Sequence, residues 1–250
     1  MDLGMRGACA VVTGAAGGIG RASALAFSAE GASVVVSDIN EQGARETAAL
    51  ITDAGGRAVA QTCDVAKAAE IDALMQRALS EFGRLDFAHN NAGINSPRAD
   101  EWDQEVFERS LAVNLTSVML CMKAEAQIML AAGGGAIVNT ASINGLVGNP
   151  AQPGYVSSKH GVVGLTRSAA LKWARQSIRV NCVCPGVIDT AMVASVVANP
   201  QYRAAIEQMT PMGRMGTAEE VAHAVVWLCS PRASFVTGHA MVIDGGATAI

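Results

Sequence analysis

The chain has 250 residues, half of them hydrophobic and 16% charged, with a formal net charge of −4. This composition excludes a disordered chain, and the length lies within what α/β folds reach as one domain. A mild acidic balance without any cluster of Lys and Arg leaves no electrostatic footprint for nucleic acid. The predicted elements alternate from the start. An apolar run over residues 8–12 ends in Thr13 and a glycine cluster, and a helical pattern continues to about Glu30. A second run over 33–37 ends in Asp38, followed by a helix over about 41–54. A third run over 57–63 ends in Asp64, followed by a helix over 67–82. A fourth over 85–89 ends in Asn90-Asn91-Ala92-Gly93.

The second half keeps the rhythm. A long apolar helix is predicted over about 103–132, a strand over 135–141, a helix over 153–176 and a strand over 177–184, which Pro185-Gly186 breaks. Residues 187–216 carry Pro200, Pro211 and several methionines with weak periodicity. They read as a mobile helical segment near the substrate, since long insertions are often functional; an ordinary surface excursion is the alternative. A helix over 218–229 and a strand over 240–243 close the pattern. Alternating β and α elements imply a parallel sheet with helices on both faces. Right-handed crossovers make it a doubly wound sheet of about seven strands, with residues 1–250 forming a single domain.

Thr13, Asp38, Asp64, Asn91, Ser142 and Pro185-Gly186 all fall at carboxyl ends of predicted strands, the edge where open parallel sheets bind ligands. The loop Thr13-Gly14-Ala15-Ala16-Gly17-Gly18-Ile19-Gly20 joins the first strand to the first helix. Gly14 allows the tight turn, Gly18 a close approach to a pyrophosphate, and Gly20 close helix–sheet packing, as in a Rossmann-type fold. Ile19 lies among them. Free N–H groups at the helix N-terminus would hold the phosphates. No Gly-Lys-Ser/Thr follows, so a P-loop is excluded. Asp38, with Ile39 beside it, is placed to accept both ribose hydroxyls and to repel a 2′-phosphate; otherwise it caps the next helix. Arg21 is the one nearby cation by sequence, so the expected cofactor is NAD rather than NADP. Asp64 would bond the adenine amino group, with Val65 supplying backbone contacts, or else cap the following helix.

Tyr155 and Lys159 lie four residues apart on a predicted helix and so share a face. A phenol is a poor base at neutral pH, but a neighbouring ammonium favours phenolate, as does the positive ring of an oxidised nicotinamide. Tyr155 can then take a proton from an alcohol or give one to a ketone. Ser142 can converge with Tyr155 over the sheet edge and donate a hydrogen bond to developing charge on the substrate oxygen. Ser157 and Ser158 are turned away from the Tyr155–Lys159 face.

On these residues the chain resembles the short-chain dehydrogenase/reductase family in its compact single-domain subtype. The matching positions are residues 13–20, Asp64, Asn90 to Gly93, Asn114, Ser142, Tyr155, Lys159 and Pro185-Gly186 through Thr190, then Phe235-Val236-Thr237-Gly238 and Asp244-Gly245-Gly246. They span essentially the whole chain. The resemblance implies that Tyr155 is the general acid/base. It implies that Lys159 lowers the Tyr155 pKa and bonds the nicotinamide ribose, and that Ser142 polarises the substrate carbonyl. Asn114 would hold a water linking Lys159 to solvent. Asn91 and Gly93 would line the adenine ribose side and support the sheet. Pro185 and Gly186 would adjoin the cofactor, with Ile188 and Thr190 fixing its carboxamide. A homotetramer paired through the long fifth and sixth helices is also implied. The four-residue Tyr-to-Lys spacing is not the longer one of the family's divergent enoyl reductases, which argues against C=C reduction.

The expected reaction is hydride transfer between NAD(H) and a secondary alcohol or ketone. Ile94, Ile143, Leu146, Val147, Met192 and Val193 read as an apolar wall for a small cyclic or aromatic alcohol or a diol. Met192, Met209, Met212 and Met215 either add an adaptable part to that wall or fill the core. One alternative is a 3-oxoacyl thioester reductase, disfavoured by Asp38 and by scarce lysine. Another is a non-catalytic nucleotide-binding protein on the same fold, disfavoured by the intact Ser142, Tyr155, Lys159 and Asn114. His89, His160, His223 and His239 lack metal-ligand spacing, so no metal is expected. Six cysteines scattered in apolar runs, with Cys182 and Cys184 too close along one strand face to bridge, read as buried thiols of a reducing compartment, the cytoplasm. The start lacks the pattern of a signal peptide, and no run of eighteen apolar residues is found, so the expected partner is a small molecule rather than a membrane.

Overall fold

The computed structural model describes residues 3–95 and 102–249. The elements, in chain order, are β1 (Cys9–Thr13), α1 (Gly18–Ala29), β2 (Ser33–Asp38), α2 (Glu41–Asp53), β3 (Ala58–Thr62), α3 (Ala68–Phe82) and β4 (Phe87–Asn90), then α4 (Gln104–Leu111), α5 (Ser117–Ala132), β5 (Gly135–Thr140), α6 (Pro153–Trp173), β6 (Ile178–Pro185), α7 (Ala194–Val197), α8 (Pro200–Met209), α9 (Ala218–Cys229) and β7 (Ala240–Ile243). The strands form one sheet in the order β3-β2-β1-β4-β5-β6-β7, every pair parallel. The order reverses between β1 and β4, which opens a crevice at the carboxyl ends there.

The strands read as apolar runs because both of their faces are covered. Val11, Val35, Ile137 and Val180 join α3, α5 and α6 in one core, while Val12, Val34, Val36 and Val138 join α1, α2 and α9 in the other. The last helix and the last strand have the ends expected of them. The fourth strand begins later than expected, at Phe87. Asp86 is used instead as an anchor, accepting from the Cys9 N–H at 2.8 Å and pairing with Arg84 at 2.6 Å. All six cysteines are free and buried.

The helix expected over 103–132 contains a π-helical turn, Ala112–Thr116, between α4 and α5. The wider turn coincides with Asn114 bonding away from its own helix: its Nδ2 donates to the Ile94 carbonyl at 2.9 Å and its Oδ1 accepts from the Ile94 N–H at 2.8 Å. Such turns recur at functional sites. By length and composition Gln104–Ala132 is apolar enough to cross a membrane, which the sequence reading did not anticipate. Here α5 instead packs Val118, Cys121, Met122, Ala126 and Met129 into the core.

Glu125 is buried among them and accepts from Asn90 Nδ2 at 3.1 Å. Burial lifts its pKa from 4.5 to about 8. The folded chain keeps this proton to about pH 8, whereas the unfolded chain releases it near pH 4.5, so stability is lost as pH rises through that window. Glu125→Gln should therefore raise the Tm at about pH 8.5 and have little effect at about pH 4.5. Equal shifts at both pH values, in paired thermal melts, would contradict this.

Residues 187–216 contain α7 and α8, neither with a buried residue. Their base is pinned: the Gly216 N–H donates to the Val187 carbonyl at 3.0 Å, the Asp189 N–H to the Gly216 carbonyl at 2.9 Å, and the Met212 N–H to the Gly245 carbonyl at 3.1 Å. The four methionines do not form one wall. Met215 is buried at the base, while Met192, Met209 and Met212 are exposed.

Candidate active site

The loop after β1 leaves room where side chains would not fit. Gly14 has φ +64°, and a Cβ there would stand 2.8 Å from Ala92 Cα. Gly18, at φ +51°, faces Thr190, whose Cγ2 would lie 3.2 Å from an added Cβ. At Gly20 an added Cβ would collide with the Gly14 carbonyl oxygen. Gly20→Ala should therefore cost about 1–3 kcal/mol of stability and weaken nicotinamide cofactor binding, read from thermal melts and NADH titration. A variant with wild-type Tm and affinity would refute the crowding. The N-cap of α1, Gly17, has no side chain, so none occupies the first helical N–H groups. That concavity, with N–H donors at its floor, fits a pyrophosphate.

Asp38 ends β2. Its Oδ2 accepts from the Ala16 N–H and its Oδ1 from the Asn40 N–H, both at 2.9 Å. It does not cap α2, because Asn40 does, accepting from the Gly43 N–H at 3.1 Å. Arg21 is committed elsewhere, to the Ala16 carbonyl at 2.5 Å, Thr47 Oγ1 at 2.9 Å and Glu46 at 3.4 Å. Ile39 beside Asp38 is 68% exposed, an apolar surface next to the carboxylate. Asp64 is not the cap of α3 either: its Oδ1 accepts from the Ala66 N–H at 3.0 Å, while the α3 N-cap is Lys67. Val65 is buried.

Asn91 ties three strand ends together. Its Nδ2 donates to the carbonyls of Thr13 at 3.2 Å and Gly14 at 3.1 Å, and its Oδ1 accepts from Thr140 Oγ1 at 3.2 Å. Thr140 also reaches α6, since its carbonyl accepts from Lys159 Nζ at 2.8 Å. Gly93 leaves the space between Lys159 and Asn114: a Cβ there would stand 3.6 Å from Lys159 Nζ and 3.1 Å from Asn114 Oδ1. The Asn114 side chain is spent on Ile94 and on Ser158 Oγ, 3.3 Å away. Ser158 is buried and bonded to the Tyr155 carbonyl at 2.7 Å, away from the reacting face.

Ser142 follows β5 and Tyr155 opens α6 after Pro153, so both stand at the carboxyl edge. The Ser142 side chain neighbours Tyr155. The Ser142 oxygen accepts from the Asn144 N–H at 3.1 Å. Burial raises the Tyr155 pKa, and Ser142 lowers it. Lys159, expected to lower that pKa together with the cofactor's positive ring, stands beside the Tyr155 ring. The ammonium lies 5.6 Å from the ring centroid and is turned to Thr140, and burial pulls its own pKa down to about 8.

Gly186 packs against Asp244, with an added Cβ 2.9 Å from Asp244 Cα, and its N–H donates to the Ile243 carbonyl. Pro185 ends β6. Ile188 is buried and forms a bridge with Gly216, so only its backbone can face a ligand. Thr190 remains at the glycine loop.

Sequence reasoning missed a cluster of amides at the rim. Gln152 Nε2 donates to Asn95 Oδ1 at 2.8 Å, and Gln152 Oε1 accepts from Asn144 and Asn149, each at 3.3 Å. Polar residues flanking Ser142 and Tyr155 were the available signal. Of the expected wall, Leu146, Val147 and Met192 are exposed, and Ile94, Ile143 and Val193 are half-buried.

A family model described as enoyl-(acyl carrier protein) reductase matches residues 14–248. Cyclohexanol dehydrogenase of Acinetobacter sp. (strain SE19) is 45% identical over 96% of this chain and 94% of its own length. The chain belongs to the short-chain dehydrogenase/reductase family. It is an oxidoreductase, as that family's dehydrogenases are. Another relative, cis-4-hydroxycyclohexanecarboxylate dehydrogenase of Sinomonas cyclohexanicum, is 46% identical over 96% of both chains. Among solved structures, a 7α-hydroxysteroid dehydrogenase complexed with NADH and 7-oxo glycochenodeoxycholic acid superposes with a TM-score of 0.94 at 36% identity, over 98% of this chain and 96% of that one. The family membership supports the doubly wound fold, and the named relatives are dehydrogenases rather than enoyl reductases.

Proposed function

We propose that this chain oxidises secondary alcohols on small rings, and reduces the matching ketones, with NAD(H) as cofactor. One observation carries the reading: the Lys159 ammonium beside Tyr155 and the glycine loop are both tied to one residue. Thr140 holds Lys159 through its carbonyl and Asn91, hence Gly14, through its hydroxyl. The bound nicotinamide would accept a hydride from the carbinol carbon or return it to the ketone. Ser142 would hold the substrate oxygen, and Tyr155 would take the alcohol proton or supply it to the forming alkoxide. Lys159, with two N–H groups beyond its bond to Thr140, would hold ribose hydroxyls and favour phenolate. Asn114 would act with Lys159 across Gly93. Because its side-chain donors are spent, any water it holds there meets a backbone oxygen or the remaining Oδ1 lone pair.

Asp38 supports NAD: a carboxylate with two backbone N–H partners, and Arg21 already engaged by Ala16, Thr47 and Glu46, disfavours a 2′-phosphate. Ile39 would stack on adenine, with Asp64 and Val65 beyond it, and Pro185, Gly186, Ile188 and Thr190 on the nicotinamide side. The relatives named for cyclohexanol and hydroxycyclohexanecarboxylate favour a ring substrate. The amides of Asn144, Gln152 and Asn95 add uncharged partners for a second ring oxygen, while residues 187–216 would cover the substrate. We read the chain as a cytoplasmic homotetramer, supported by Met119 and Leu130 on α5 and Leu171 on α6, which are exposed apolar side chains. A panel of cyclic and acyclic alcohols with NAD+ and NADP+ tests the function. Turnover of cyclohexanol-like alcohols is expected, with kcat/KM at least about tenfold higher with NAD+. Activity confined to 3-oxoacyl thioesters with NADPH would overturn it.

A further inference from the structure

His89 takes no part in the chemistry above, yet it stands in the middle of the sheet. It is fully buried in β4, and its cross-strand neighbours are Val12 and Val138. Nε2 lies 2.9 Å from Thr140 Oγ1, while Nδ1 is buried without a partner. An orphaned polar atom in a dry interior is costly, and a third valine here would carry no such penalty. The imidazole therefore calls for a reason beyond packing.

Hydrogen-bond direction supplies it. Asn91 Nδ2 donates to the Thr13 and Gly14 carbonyl oxygens, which can only accept. That orients the amide, so Asn91 Oδ1 accepts the Thr140 hydroxyl proton. With this proton committed, Thr140 Oγ1 offers the imidazole only a lone pair. Nε2 must carry the ring hydrogen, and Nδ1 is bare. The ring is neutral, since burial pushes its pKa down to about 3.

We propose that His89 is a positioning residue for the cofactor loop: its Nε2–H fixes the Thr140 hydroxyl, which orients Asn91 and through it the carbonyls of Thr13 and Gly14. The proposal rests on reading residues 14–20 as the pyrophosphate loop. Without the ring, the Thr140 hydroxyl is free to occupy other staggered positions, and Asn91 Oδ1 loses the donor that steadies its end of the amide. The loss falls on cofactor binding rather than on proton transfer, because Lys159 is held by the Thr140 carbonyl, which the hydroxyl does not affect.

Two measurements on the intact protein test this. In ¹H–¹⁵N correlation spectra, His89 should show the neutral Nε2–H pattern and no titration above about pH 5; an Nδ1–H pattern overturns the proposal. In kinetics and NADH titration, His89→Leu should raise the KM and Kd for NAD(H) about five- to tenfold, with kcat changed less than about twofold. His89→Gln, whose amide nitrogen can replace Nε2–H, should bring both constants back to within about twofold of wild type. Thr140→Val should reproduce the His89→Leu split, and the double variant should add nothing further. A Leu variant with lowered Tm but unchanged KM and Kd makes His89 a packing residue and overturns the proposal. Wild-type protein that binds no NADH overturns the cofactor reading, and the proposal with it, even when the Nε2–H pattern is found.

Discussion

Tyr155→Phe is expected to lower kcat by about 10²–10⁴, the usual worth of a positioned proton carrier, while the Kd for NADH stays within about twofold of wild type. The substitution keeps the ring over which Lys159 packs and removes only the hydroxyl. Binding and chemistry should therefore separate. Burial raises the Tyr155 pKa, so in wild type the phenolate needed for oxidation gains population as pH rises. Alcohol oxidation should accelerate toward alkaline pH, whereas ketone reduction, which needs the phenol, should slow. Steady-state rates in both directions across pH, with NADH titrations of both proteins, check this. Retention of more than a few per cent of kcat, or a Kd that rises as kcat falls, would remove Tyr155 from the role.

Asp38→Ser should have the second largest effect. A carboxylate accepting two ribose hydroxyls makes charge-assisted bonds worth about 1.5–3 kcal/mol, or roughly ten- to a hundredfold in affinity for NAD. The variant should lose that preference mainly through a higher KM for NAD+, and use of NADP+ should improve because the repulsion is gone. The same carboxylate accepts the Ala16 and Asn40 N–H groups, so some stability falls with it. Measuring kcat/KM for both cofactors beside the Tm separates the two effects. An unchanged cofactor ratio in the variant, or equal use of both cofactors by wild type, would show that Asp38 does not select.

Much of this architecture was legible because parallel strands buried on both faces announce themselves as apolar runs. Val34-Val35-Val36 marks β2, and the polar residue that follows it marks the ligand edge. The glycine loop was legible because only glycine fits beside Ala92 and the Gly14 carbonyl. Local spacing placed Tyr155 and Lys159 on one face, but it could not show Lys159 turned to Thr140, a residue nineteen positions earlier whose role depends on β5 ending beside α6. The π turn at Ala112–Thr116 was hidden for a similar reason. Its helical pattern gives no sign of the wider turn, which coincides with bonds from Asn114 to Ile94, a residue of another segment. Asp38 and Asp64 both resemble helix caps in sequence, and only the fold shows Asn40 taking one cap and Lys67 standing at the other. His89 looked like an unremarkable histidine because hydrogen-bond direction is a property of the assembled network.

The most direct measurement is the fate of the carbinol hydrogen. Cyclohexanol deuterated at its carbinol carbon, incubated with the protein and NAD+, should yield cofactor carrying that deuterium on the nicotinamide ring, and the label should not exchange with water. Deuterium released to solvent, or cyclohexanone formed without labelled NADH, would contradict direct hydride transfer at the Ser142–Tyr155 pair.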